Sequence, residues 1–399
     1  MTDTRLSQTE FVALMAMLLA TVAISIDAML PALPEIAATL SPAAPNAVQL
    51  VVTSFVLGMG IGTLFTGPLS DAFGRKRVIL FGSALYALAA LACVFAPSLE
   101  LLLAARLVMG IGAAAPRTVS VAIVRDMFSG REMARVLSFM MMIFTIVPAA
   151  APLMGVGLIA LGGWRSIFLA YVAFAGLTML WLALRQPETL PAARRRPLHA
   201  SDLLRAAREV LGHRVVVVSL VLQALTLGAL FATLSSIQGI FQMQFDRADS
   251  FPLWFALIAV ASMSGSPLNS RIVMTLGMRR VIVAAHGTQL GLTVLTLGLH
   301  SVGVLPPDVE FALHILWMVG LFAMMSLTMG NLSALAMEPV GHVAGLAASV
   351  ILSLATVGAV IVAVPVGQAF AGTSGPVLAG VAVLLGLALL GGRFGLGRI

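Results

Sequence analysis

The chain has 399 residues, 60% of them hydrophobic and 10% charged, with a mean hydropathy of +1.06. A water-soluble domain carries roughly a quarter charged residues, so this composition excludes one and predicts an all-α, multi-pass membrane protein. The net charge of +7 is then read by position, as loop Lys and Arg that set topology rather than as a nucleic-acid footprint, and the single Cys93 leaves no intramolecular disulfide or thiolate metal site.

The first predicted span, Phe11–Leu33, follows a short polar leader. A cleaved signal is the competing reading, but no small-residue cleavage site with a polar mature start follows, so the segment is expected to stay as a helix. It carries Asp27, the one carboxylate placed clearly inside a span. An acid at membrane depth is costly and marks a pathway more often than a static pair.

The second and third spans, Val48–Leu69 and Val78–Ala96, are joined by a tight charged turn. Gly67 and Pro68 end one helix, Asp71 can cap or face a helix N-terminus, Gly74 turns the chain, and Arg75, Lys76 and Arg77 place three cations at the membrane edge.

The fourth span, Leu101–Val124, holds Arg106 and Arg117 eleven residues apart, within roughly 20° of one helical face. Arg106 and Asp27 both fall about six residues from the predicted outer ends of their spans, so at ~1.5 Å per residue they share a depth of roughly 10 Å. Gly110, Gly112 and Ala115 formally fit a dinucleotide fingerprint, but no strand precedes them, and close helix packing accounts for them.

The fifth span lies in the charge-free run 136–164 and contains Pro148, Pro152, Gly155 and Gly157, expected to interrupt it and let it flex. Ser166–Leu184 is the sixth. The polar interval 185–214, rich in Pro and Arg with an amphipathic patch near 202–211, is expected to lie against anionic lipid. Charge-free runs 215–245, 250–270, 281–307 and 311–337 supply four more spans, and the run 339–392, broken near 367–376, supplies two.

Twelve spans place 19 of the 23 Lys and Arg residues on one side, only Arg165 and Arg247 on the other, and two within a helix. The positive-inside rule then puts both termini in the cytoplasm. Two six-helix bundles, 1–184 and 215–399, flank the cytoplasmic linker 185–214. The sequence Gly74-Arg-Lys-Arg-Val-Ile returns as Gly277-Met-Arg-Arg-Val-Ile, 203 positions on, which predicts a parallel duplication.

The 67–76 turn resembles the signature between helices 2 and 3 of the major facilitator superfamily, matching at Gly67, Leu69, Ser70, Asp71, Gly74, Arg75 and Lys76, with Ala72 in place of a base. Asp27 to Pro34, Arg106 with Gly110 and Gly112, and Trp164-Arg165 with Ile167-Phe168 are similar to its bicyclomycin and chloramphenicol resistance (Bcr/CflA) branch of drug:proton antiporters. The resemblance implies the two-bundle facilitator fold and a cytoplasmic gate built on Asp71, Gly74 and Arg75. It also implies an antiporter role for the helix 5 motif of Pro148, Pro152 and Gly155.

The expected activity is proton-coupled efflux of small hydrophobic compounds by alternating access from a bacterial inner membrane, as a monomer without cofactor or metal. Asp27 and Arg106 would couple the proton, and Met141, Phe144, Arg117, Phe231, Gln238 and Asn331 would line the substrate path. Export of a sugar or amino acid, or a receptor or scaffold that does not transport, are the alternatives. No catalytic constellation supports an enzyme.

Overall fold

A computed structural model of the chain describes residues 6–195 and 197–396; Arg5, Arg196 and Arg398 of the charge tally lie outside the described residues. Among those residues, twelve helical segments are long and apolar enough to cross a membrane, as the spacing of charges predicts.

The first unit contains α1 (Gln8–Asp27), α3 (Leu50–Phe73), α4 (Arg75–Val94), α5 (Leu99–Met127), α6 (Gly130–Gly162) and α7 (Arg165–Arg185), with α2 (Leu33–Leu40) leaving it. The Ser7 hydroxyl caps α1, accepting the Glu10 N–H at 3.2 Å. The helix stops at Asp27 because Pro31 and Pro34 lack the N–H groups that would continue it; a 3-10 turn over Leu30–Ala32 leads into α2.

Close packing on glycine sets the spacing of α3, α4 and α5. A side chain at Gly110 would strike the Phe55 carbonyl and come within 2.8 Å of the Met59 nitrogen, and one at Gly112 would come within 2.6 Å of the Tyr86 nitrogen. These positions of the formal fingerprint are therefore helix contacts. Glu10 ties the ends of α1 and α7 together, with paired 2.9 Å contacts to the Arg185 guanidinium and a 3.0 Å bond from the Trp181 indole.

The second unit contains α9 (Arg214–Gly239), α10 (Phe251–Ser262), α11 (Gly265–Leu276), α12 (Met278–Val302), α13 (Pro307–Met337), α14 (Ala344–Gln368) and α15 (Gly375–Leu390), with α10 and α11 forming one span. Buried histidines act in it as helix contacts. His286 bridges Thr226 and the Ile282 carbonyl, each at 2.9 Å, while His314 lies between the rings of Phe245 and Trp317.

Residues 37–53 group with this second unit, not with the first. Asn46 donates to the Gln368 and Phe370 carbonyls, the Gln368 amide returns a 2.9 Å bond to the Asn46 carbonyl, and Gln49 accepts from Ser235 and Ser236. The division of the linker is also internal to it, at Ala206, within the amphipathic helix α8 (Ala200–Gly212).

The repeated sequence makes a repeated backbone turn. Gly74 (φ +100°, ψ 152°) and Gly277 (φ +80°, ψ 153°) make the same turn at the starts of α4 and α12, in a region that favours glycine.

Candidate proton-coupling and gating sites

The end of α1 builds the first site. The Ile24 carbonyl takes the backbone N–H of the capping Ala28 at 3.1 Å, and the carbonyls after it need donors from elsewhere. The Arg106 guanidinium, fully buried on α5, donates to the Ser25 carbonyl at 3.1 Å. The Tyr171 hydroxyl on α7 donates to Ile24 at 3.1 Å and to Ser25 at 3.4 Å. The Ser25 hydroxyl in turn lies 2.6 Å from the Tyr86 hydroxyl of α4. A cation at the negative end of a helix dipole is favourable, and the Phe55 ring, 4.5 Å from the guanidinium carbon, covers one face of it.

Asp27 occupies the final position of α1, two residues beyond Ser25, and is 6% exposed. Among the described residues no ion pair or hydrogen bond reaches its carboxylate. Arg106 is thus held by the helix end and the Phe55 ring, and among the described residues no hydrogen bond or ion pair joins it to Asp27. On the other side of the same turn, a side chain at Gly155 would strike the Ala28 carbonyl, so α6 packs backbone to backbone against the residue that follows Asp27.

Sequence reasoning singled out Asp27 and Arg106 but not Ser25, Tyr86 and Tyr171, which bond at the same helix end. A signal was available: the chain has only two tyrosines, and both meet here.

At the other end of the first unit, Arg75 is a hub. Its guanidinium contacts Asp71 at 2.5 Å, Asp126 at 3.0 Å and the Ser70 hydroxyl at 2.6 Å. Asp126 also accepts from the Thr189 hydroxyl at 3.2 Å. The start of α4 is capped by a residue from the linker, because the Glu188 carboxylate accepts the backbone N–H groups of Arg75 and Lys76 at 2.9 and 3.2 Å. Where the sequence predicts a linker lying against lipid, its first residues fold back onto this turn, and Lys76 adds a 2.7 Å bond to the Ala183 carbonyl near the end of α7.

Pro148 and Pro152 do not interrupt α6, which runs through both as one helix. The expected substrate residues differ in their surroundings. In the first unit Met141 is 46% exposed, Phe144 is half-buried and Arg117 donates to the Met59 sulfur at 3.2 Å. In the second, Phe231 and Gln238 are buried, the latter with an unpartnered Oε1 among the described residues. Asn331 spends its amide N–H groups on Asn269 at 2.9 Å and on the Leu327 carbonyl at 2.8 Å, pinning α13 to α11.

Twelve apolar helices among the described residues, a repeated turn and buried charge at a broken first helix define a multi-pass membrane protein. The chain belongs to the Major Facilitator Superfamily, whose sequence profile matches residues 14–363. It is 32% identical over 343 residues to a bicyclomycin resistance protein homolog of Haemophilus influenzae, covering 82% of this chain and 81% of that protein. It is 36% identical over 250 residues to the uncharacterized MFS-type transporter YdgK of Bacillus subtilis, and 35% identical over 244 residues to the multidrug resistance protein MdtL of Escherichia fergusonii. Those matches span 61% of each relative and 61% and 60% of this chain. The resemblance to the Bcr/CflA branch is borne out by these relatives. A solved D-xylose-proton symporter shares the fold at a TM-score of 0.77 and 14% identity, over 97% of this chain and 98% of that one.

Proposed function

We propose that the protein exports small, largely apolar compounds across a bacterial inner membrane by alternating access, driven by inward proton flow, with both termini cytoplasmic and the chain acting as a monomer. What carries this reading is Asp27, a buried carboxylate that no hydrogen bond or ion pair reaches among the described residues, at the end of the helix whose Ser25 carbonyl a buried guanidinium holds. Such an acid gains or loses its proton according to whether water or a cation reaches it, and nothing in its packing needs to break for that to happen. Arg106 supplies a fixed positive field that biases the exchange. The relatives named for bicyclomycin and multidrug resistance support drugs or toxic compounds as cargo.

The cluster of Asp71, Arg75 and Asp126 would act as the gate at the cytoplasmic end, with Gly74 setting its turn and Pro148, Pro152 and Gly155 letting α6 adjust against α1. Met141, Phe144, Phe231 and Gln238 are proposed to meet the cargo, with Arg117 near the cytoplasmic end. Asn331 contributes through its carbonyl oxygen.

The test is uptake of a panel of lipophilic dyes and antibiotics into inside-out vesicles with an imposed pH gradient, comparing the parent with Asp27→Asn. Gradient-driven uptake by the parent and its loss in the variant support the reading. Sugar or amino-acid movement instead of dye movement would replace the cargo, and equal behaviour of the two proteins would remove Asp27 from the mechanism.

A further inference from the structure

A second cluster of titratable groups, used by none of the steps above, sits at the end of the second unit where α12 finishes and α13 begins. The Glu310 Oε1 accepts a 2.8 Å bond from the Gln244 amide and lies 2.7 Å from His300 Nδ1. The Gln244 carbonyl oxygen accepts the Ser374 backbone N–H at 2.6 Å, immediately before α15. One carboxylate therefore ties together the extension of α9, the end of α12, the start of α13 and the start of α15. Gln244 reaches it because α9 widens into a π-helical turn over Ile240–Gln244, an irregularity that often accompanies function.

We propose that His300 and Glu310 form a proton-binding clasp, distinct from Asp27, that is tight when His300 is protonated and loosens as the pH on that side rises. The His300 and Glu310 side chains are 21% and 25% exposed, so protons reach the pair while the packing holds its geometry. The imidazole is the side chain whose charge ordinarily changes between about pH 5 and 8. Protonated, it makes a charge-assisted contact with the carboxylate; neutral, it retains only an ordinary N–H bond, which is roughly half as strong.

Beyond Gln244 and His300, no described residue bonds the Glu310 carboxylate. Arg247 is engaged by Asp308 at 2.7 Å and lies over the Phe311 ring. Across from His300, α15 presents Gly375, which has no side chain to titrate. One turn deeper on α13, His314 is 1% exposed, with Nε2 unpartnered among the described residues. The His300 Nδ1 thus faces Glu310, and the further titratable groups near it on α13 are Asp308, engaged by Arg247, and the buried His314. Only the statement that this end faces outward rests on the proposed topology; the clasp itself does not.

Thermal unfolding of the purified full-length protein in detergent, between about pH 5.5 and 8, tests the clasp without any transport assay. The parent should lose at least about 2 °C more over that range than His300→Gln or Glu310→Gln, whose curves should be flatter and alike. Parallel curves for the three proteins overturn the proposal. Should either variant fold too poorly to measure, hydrogen exchange on the parent decides: protection of segments 240–250 and 300–312, corrected for intrinsic rates, falls with pH if the clasp operates and stays level if it does not. In vesicles, changing pH only on the side opposite the Arg-rich loops should shift the efflux profile of the parent and not of His300→Gln. A shift from the other side would overturn the topology while leaving the clasp intact.

Discussion

The Glu188 carboxylate holds the Arg75 N–H at 2.9 Å although 113 positions separate the two residues. It also accepts from Lys76, Thr189 and Leu190, so it closes its own turn and caps α4 at once. Replacing it with alanine removes an anionic cap and should cost about 1–2 kcal/mol, with Glu188→Gln losing less because an amide oxygen still accepts. Thermal unfolding in detergent checks both the loss and the order.

Among the described residues no hydrogen bond or ion pair reaches Asp27, so Asp27→Asn removes a chargeable group without breaking one. Its melting temperature should equal or exceed that of the parent while pH-driven efflux falls at least about tenfold. A variant that is both inactive and strongly destabilised would mean that the acid holds the fold, not the proton.

The Arg106 guanidinium meets the Ser25 carbonyl and the Phe55 face at once, and the point charge of a lysine lacks the planar fork that serves both. Arg106→Lys should therefore destabilise by about 2–4 kcal/mol and abolish efflux. Tyr171→Phe loses one hydroxyl, shared between the Ile24 and Ser25 carbonyls, and should cost about 1 kcal/mol. Unfolding curves of the two variants, measured beside efflux, separate positioning from collapse.

Glycines that look equivalent in the sequence should differ sharply. Alanine at Gly110 or Gly155 would run into a backbone carbonyl, of Phe55 or Ala28, and should cost about 1–3 kcal/mol or block folding. Alanine at Gly157, two residues further along α6, meets nothing within 4 Å and should be tolerated. Yield and melting temperature of the three variants make the comparison.

The spans were legible because bilayer thickness and loop charge act on composition, which a sequence displays directly. Asp27 and Arg106 were legible for the same reason, as charges where charge is costly. Which group Arg106 bonds was not, since depth along two helices says nothing about how they are rotated toward each other. Tyr171 and Glu188 were missed because each serves a backbone group far away in sequence, and no local pattern announces a long-range cap. The prolines of α6 misled for a related reason: within a bundle, neighbouring helices and small local adjustments can accommodate the bonds a proline removes, so α6 runs on through Pro148 and Pro152.

The reach of Glu188 back to Arg75 gives the tether a polarity that its composition conceals. If the two halves were produced as separate polypeptides and allowed to reassemble, a cut just after Arg185 would strand the brace of α4 on the wrong fragment. A cut a dozen residues later would leave the leading half with its own support. Where the strand is severed, not merely whether it is, should decide which fragment survives alone.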